Sequence, residues 1–265
     1  MVLPLDSLPL DPVRHPVAAL HVEGANYQIE IPSHAHDHGQ LILALRGAVT
    51  CHVPAAMWMV PPGQAVWIPA GLEHRSPATP NARMCFLFVD THAARLPAQC
   101  CTLQITPMIR EMILHLADNS NADQLPDDDT LLLMQVLLSQ LERMPTGGLE
   151  LPVSSHPKLR QFLDGLSADP ADRRTIGEWA GQLAMSERTL ARLVVKETGM
   201  TFGRWRQQLH LLIALSQLAG GASVQRVSEA LGYESPTSFI IMFKGALGTT
   251  PARYFDDKAP RSPSE

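Results

Sequence analysis

The chain is 265 residues long, 45% apolar and 18% charged, with a formal net charge of −5 at pH 7; it can bury a sizeable core, and its length suggests roughly two domains. No span is apolar enough to cross a bilayer, and the opening MVLPLDSLPLDPVRHP, interrupted by Asp and Pro and without a basic start, fits neither a signal nor a transit peptide, so a cytoplasmic location with no membrane partner is expected. The negative total argues against nucleic acid only until it is divided: residues 156–255 carry 12 Lys and Arg against 8 Asp and Glu, and residues 1–155 carry 7 against 15, a basic module on an acidic partner.

Residues 1–27 are Pro-rich without clear periodicity and predict an extended arm lying on the domain that follows. From about Gln28 to Val89 the runs GQLILALRG, AVTCHV, MWMVPPG, AVWIPAG and ARMCFLFV alternate with turn residues at Arg46-Gly47, Pro61-Pro62-Gly63 and Pro69-Ala70-Gly71. Short strands at this spacing predict a small β-barrel or sandwich. Its chemistry-bearing side chains are His34, His36, His38 and Gln40, which share one parity and so one face of an extended segment, and His74, which arrives from a turn after Pro69. Cys51, Cys85, Cys100 and Cys101 show no CxxC pairing and read as reduced thiols; oxidation or metal sensing by the adjacent Cys100 and Cys101 is the alternative.

This stretch resembles the cupin barrel family. The first cupin motif has His-x-His, an acid or amide four residues on and a later glycine, here His34, His36, Gln40 and Gly47; the second, Pro-x-Gly-x-x-His, is Pro69, Gly71 and His74. The resemblance implies a divalent metal (zinc, nickel, cobalt, manganese or iron) held by His34, His36, Gln40 and His74, with open positions for water or an effector. Gln40 stands where many metal cupins carry Glu, which lowers the negative charge of the site. A metal-free polar effector pocket is the alternative, and His38 reads as a solvent-facing or ligand-supporting histidine. Metal cupins include dioxygenases and isomerases, so an enzyme with an accessory DNA-binding domain is the rival function. Against it, no acid or base stands beside the candidate ligands except Asp37 and Glu73, which read as exposed turn residues.

Beyond Asp90 the β pattern stops, and LQITPMIREMILHLAD and DDDTLLLMQVLLSQLERM predict two amphipathic helices joined by the acidic loop NSNADQLPDDD. Leu131, Leu132, Met134, Gln135, Leu138 and Leu141 form a stripe too wide for one face of a solitary helix; a dimer interface is the favoured reading and packing on the barrel the alternative. PTGGLELPVSSHP, with Gly147, Gly148, Pro152, Ser154, Ser155 and Pro157, has linker composition. The expected divisions are a sensor domain over 1–95, a helical dimerisation or coupling segment with linker over 96–150, and a reader over 151–258.

In TIGEWAGQLAMSERTLARLVVKETG, Thr175 and Glu178 have capping-box spacing, Ser186 suits the next N-cap and Gly199 the end of that helix. In SVQRVSEALGYESPTSFIIMFKGALG, Ser223 starts a helix, Gly232 ends it, Ser235 and Pro236 open another and Gly248 closes it. Each half predicts a helix-turn-helix. After Ser186, the spacing of Leu190, Leu193 and Val194 predicts a buried stripe, with Arg188, Ala191, Arg192 and Val195 outward. Arg is the side chain best able to read guanine bidentately, for about 1–3 kcal/mol of discrimination; solvated or phosphate-contacting arginines are the alternative. FGRWRQQLHLLIALSQLAGG predicts a connecting helix of about 25 Å, able to hold two heads about one DNA turn apart, with Arg204 and Arg206 as phosphate contacts. In the last reading helix Phe239, Met242 and Phe243 are expected inside and Thr237, Ser238 and Ile241 outside, with Lys244 near the DNA backbone. Ile241 offers only an apolar contact, such as a thymine methyl, so the second head is expected to carry less base-specific hydrogen bonding than the first.

Residues 156–255 closely resemble the DNA-binding domain of the AraC family, through MSERTLARLVVKETG and LGYESPTSFIIMFKGALGTTPARYF, with Pro251, Tyr254 and Phe255 where that domain ends. Val194, Ile241 and Gly245 depart from residue types common in the family. The resemblance implies an α+β two-domain transcriptional regulator, not an enzyme: a cupin-like sensor barrel followed by an all-α double helix-turn-helix. Its implied partners are double-stranded promoter or operator DNA, a small-molecule or metal effector, a second copy in a homodimer and, if it activates, RNA polymerase.

Overall fold

Apolar runs such as LILAL and MCFLFV leave a strand no polar face, so both sides of the sheet they form must be covered. The computed structural model, which describes residues 10–11, 13–23, 32–119, 125–147 and 149–256, shows how. Strands β1 (Val17–Glu23), β2 (Gly39–Arg46), β5 (Gln64–Ile68), β6 (Arg83–Val89), β7 (Cys101–Gln104) and β8 (Thr146–Gly147) form an antiparallel sheet in the order β1-β6-β2-β5-β7-β8. Strands β3 (Val49–Val53), β4 (Ala56–Val60) and β9 (Glu150–Pro152) form a second sheet, in the order β3-β4-β9. Ile42, Val66, Ile68, Phe86 and Phe88 of the first sheet pack against Val49, Cys51, Trp58 and Val60 of the second. The alternate residues Leu41, Leu43, Trp67, Cys85 and Leu87 turn outward onto helices α1 (Pro107–Asp118) and α2 (Asp128–Leu141).

The second sheet has no helix of its own on its outer face, and the reader supplies one. Helices α3 (Pro157–Ala168), α4 (Ile176–Gln182), α5 (Glu187–Thr198), α6 (Phe202–Ala219), α7 (Val224–Ala230), α8 (Pro236–Leu247) and α9 (Pro251–Asp256) follow. Met59, Leu149 and Leu151 belong to the same apolar cluster as Phe162, Trp205, Leu211 and Phe243, so sensor and reader share one core. Trp205, fully buried, donates its indole N–H to the Pro152 carbonyl at 2.8 Å, Gln208 donates to the Glu150 carbonyl at 3.0 Å, and Gln64 donates to the Tyr254 hydroxyl at 3.2 Å. Asn81, in the loop before β6, donates to Ala219 at the end of α6 at 2.9 Å.

Four expectations change. Part of the proline-rich arm is an edge strand, β1 paired along its whole length with β6; residues 1–9, 12 and 24–27 of the arm lie outside the described residues. The β pattern does not stop at Asp90, because Cys101–Gln104 pairs with β5 and the helix begins only at Pro107. The linker is not a tether: Thr146–Gly147 and Glu150–Pro152 extend both sheets, so a boundary between 150 and 151 cuts β9 and the sensor runs to Pro152. Pairing with a neighbouring strand overrides the turn-like composition there. The α2 stripe is mostly consumed by the barrel, with Met134, Leu137, Leu138 and Leu141 buried and Leu132 (60%) and Val136 (42%) exposed. The acidic loop falls in part on residues 120–124, outside the described residues.

Candidate functional site

The first cluster of chemical groups lies where β2 begins. Gly39 has no side chain because a Cβ there would sit 2.0 Å from the Trp67 ring, and this close approach fixes the entry of the strand that carries Gln40. The segment before it is held by the two backbone hydrogen bonds between His34 and His74, of 3.0 and 2.9 Å. Gly71, at φ +73°, turns the chain and donates its N–H to the His36 carbonyl at 2.9 Å. These constraints bring His34, His36, Gln40 and His74 together, His36, Gln40 and His74 being buried.

The ring tautomers follow from the partners. Nδ1 of His34 faces the Pro32 carbonyl at 3.0 Å, Nδ1 of His36 the His38 carbonyl at 2.7 Å and Nδ1 of His74 the Leu72 carbonyl at 2.8 Å. Carbonyls only accept, so each Nδ1 carries a proton, and a ring in its neutral form has its lone pair on Nε2. Burial holds His74 down to about 4 against the opposing hydrogen bond to Leu72, with His34 and His36 adding to it whenever they carry a proton, so His74 is neutral. Gln40 Oε1 lies 3.2 Å from His36 Nε2 and 3.0 Å from His74 Nε2. Three acceptors then converge with no proton among them, an arrangement that suits a cation. Without one, a half-turn of the amide presents its two N–H groups to both rings. One nitrogen from each histidine lies within 4.8 Å of the others, and small side-chain shifts close that to the roughly 3.4 Å of a tetrahedral triad with bonds near 2.1 Å. The donor set therefore fits a divalent metal. His38 contributes its backbone carbonyl by orienting His36, and its ring is outside the three-histidine group.

The second cluster is the outer face of the reader. Every local start and stop legible in the sequence is formed: the Thr175–Glu178 capping box, the Ser186, Ser223 and Ser235 N-caps, and left-handed Gly199 and Gly248 at the ends of α5 and α8. With these ends set, α5 buries Leu190 and Val194, keeps Leu193 and Ala191 half-buried, and exposes Arg188, Arg192 and Val195. Helix α8 buries Phe239 and Phe243 and exposes Thr237, Ser238, Ile241 (68%) and Lys244, with Met242 half-buried. Helix α6, whose 18 residues make a rod of about 27 Å, joins the two units in the chain. Arg204 is exposed near its start.

Arg206, expected at a phosphate, is half-buried and makes an internal contact. Its guanidinium donates to the Arg174 carbonyl and lies 4.3 Å over the Phe202 ring, so it braces α6 against the α3–α4 connection. Its spacing from Phe202 was the available signal, since i,i+4 places the two on one face. The Ser238 hydroxyl is 3.1 Å from that of the N-cap Ser235, which ties part of its hydrogen-bonding capacity to the helix start. Thr189 and Lys196 are also exposed on α5 and extend the face that Arg188 and Arg192 define, at the i, i+3 and i+7 positions that sequence spacing made available.

Two helix-turn-helix units on one rod, docked on a sheet-rich domain, define a DNA-binding transcriptional regulator joined to a ligand-binding domain. The family described as AraC-like ligand binding domain matches residues 17–143, and the family described as helix-turn-helix domain matches residues 179–257. The chain is 50% identical over 246 residues to the HTH-type transcriptional regulator NimR of Escherichia coli (strain K12), covering 92% of this chain and 90% of that protein. It is 24% identical over 254 residues to the HTH-type transcriptional activator RhaS of Yersinia pestis, covering 88% and 92%. ToxT from Vibrio cholerae O395 superposes with a TM-score of 0.40 at 8% identity, over 93% of this chain and 98% of that one. The chain belongs to the AraC family of transcriptional regulators. Among the described residues, no helix is long and apolar enough to cross a membrane.

Proposed function

We propose that this regulator reads an operator with two unequal heads and answers to a ligand held at the histidine cluster of its barrel. The observation that carries the reading is the pair of capped helices, α5 and α8, that present unburied faces and are joined through the 18-residue α6. Arg188 and Arg192 supply the bidentate donors that discriminate bases, while Thr237, Ser238, Ile241 and Lys244 anchor the second head. His34, His36, His74 and the Gln40 carbonyl would hold a divalent transition metal, which supplies a Lewis-acidic anchor for an oxygen or nitrogen donor of an effector. Exposed Leu132 and Val136 on α2 are the apolar remnant available to a second copy, which would pair two readers on DNA. If the protein activates, RNA polymerase is the further partner. The relatives named as transcriptional regulators support regulation over the dioxygenase or isomerase chemistry that a metal cupin allows.

The test is a mobility shift with the DNA upstream of the protein's own gene, with and without zinc, beside metal analysis of the purified protein. A specific shift whose affinity changes with zinc supports the reading. Stoichiometric metal with turnover of a small substrate and no DNA shift overturns it.

A further inference from the structure

The three-stranded sheet is a wall between two environments. Side chains alternate across a strand, and the register places Cys51, Trp58 and Glu150 opposite one another on β3, β4 and β9. Cys51 and Trp58 look into the barrel interior, whereas Met57, Met59 and Leu151 of the same strands pack into the reader's core. On the barrel side lies a cavity of about 620 Å³, lined by Ala56, Trp58, Leu72, Cys100, Glu150 and Pro152 among others. Its walls are apolar except for Gln99 and three further groups. The Trp58 indole N–H is buried without a hydrogen-bond partner. The hydrogen bond with Cys51, followed by burial, pushes the Cys100 thiol well above the usual range, so it stays protonated and is a poor nucleophile. The Glu150 carboxylate is half-buried and has no cationic partner among the described residues.

We propose that this cavity is a binding site for an organic cation with an apolar body, such as a lipophilic amine or a quaternary ammonium or phosphonium compound. An unpaired carboxylate at an apolar wall is stabilised by a cation that brings little hydration with it. The Trp58 ring in the same cross-strand row supplies an aromatic face for the same charge. The acidic balance of residues 1–155 draws cations toward the domain. None of the four histidine-cluster residues lines this cavity, so it is a site apart from theirs, although the Pro69–Leu72 loop that leads to His74 forms part of its rim.

The wall connects the cavity to the reader. Glu150 and Pro152, which line it, offer their carbonyls to Gln208 and Trp205 of α6, the rod between the two heads. A cation seated between Trp58 and β9 therefore acts on a strand that α6 grips directly, and the coupling part of the proposal rests on the regulator reading above.

Tetraphenylphosphonium and tetraphenylborate, of nearly the same shape and opposite charge, test it by calorimetric titration of the full-length protein. The expected result is saturable binding of the phosphonium alone, weakened about tenfold or more in Glu150→Gln, a variant checked by an unchanged thermal midpoint without ligand. Trp58→Phe provides a second variant, expected to weaken binding while leaving the carboxylate in place. Equal binding of both ions, or Glu150→Gln binding the phosphonium as the parent does, overturns the site. Operator affinity is then measured with and without the phosphonium; a change in the parent that disappears in Glu150→Gln supports coupling, and no change in the parent overturns it. Failure of the parent to bind operator DNA at all would instead sink the regulator reading, while the calorimetric titration would still decide whether the cavity binds the cation.

Discussion

Replacing Trp205 by Phe is expected to weaken the junction between sensor and reader. The indole is fully buried and its N–H is 2.8 Å from the Pro152 carbonyl on β9. Removing the donor leaves a half-buried acceptor without that partner, at a cost of about 1–3 kcal/mol. The smaller ring also gives up roughly 30 Å² of apolar contact, worth about 0.8 kcal/mol. The sum, about 2–4 kcal/mol, should lower the thermal midpoint by roughly 4–12 °C for a chain of this size. Differential scanning calorimetry provides the measurement, and because one apolar cluster includes Leu151 and Met59 as well as Trp205, the parent should unfold in a single transition. Trp67→Phe is the control, since that indole donates to the Pro97 carbonyl at the same 2.8 Å but lies within the sensor. It should cost a similar amount and leave the link to α6 intact. A Trp205→Phe midpoint within about 1 °C of the parent, or separate sensor and reader transitions in the parent, would refute the shared-core argument.

Four further outcomes are expected. Arg192→Ala should lose about 1–3 kcal/mol of discrimination between operator and mutated operator at fixed salt, and unchanged discrimination in a competition shift would remove Arg192 from base reading. Lys244→Ala should weaken binding to all sequences alike and reduce the slope of log affinity against log salt by about 1, which a salt titration checks. Gln40→Glu should tighten zinc binding by about tenfold or more in chelator competition and, without metal, lower the thermal midpoint, because a buried carboxylate then lacks a cation; a stabler metal-free variant would contradict the proposed donor set. Burial, with Arg75 adding to it, takes His52 down to about 4, and burial also lowers His210. The unfolded chain takes up these protons first, so stability should be full above about pH 6.5 and decline as pH falls from there toward 4. Denaturant midpoints across that range check the sign, and His52→Asn should flatten the slope.

The reader was legible almost residue by residue because its boundaries are local. Thr175, Ser186, Ser223 and Ser235 cap through groups three residues away, and Gly199 and Gly248 adopt left-handed φ where each helix stops. The four members of the histidine cluster were legible for a related reason, since parity along one segment and one glycine turn bring them together. Thr146–Gly147 and Glu150–Pro152 were not: glycine and proline suggested a tether, and only pairing with β7 and β4, far away in sequence, makes strands of them. Arg206 likewise offers the sequence a basic side chain near a helix start, and only Phe202 and the Arg174 carbonyl show that it also braces the domain internally.

By itself, then, the sequence determined the helix ends, the faces those helices bury and the four residues of the histidine cluster, all of which depend on contacts within a few residues or on strand parity. Tertiary structure alone decided that β9 is a shared wall, with Trp58 and Glu150 toward the barrel and Leu151 toward the reader. A strand's partner and the environment of each of its faces are set by chains that lie distant in sequence, and no local propensity encodes them.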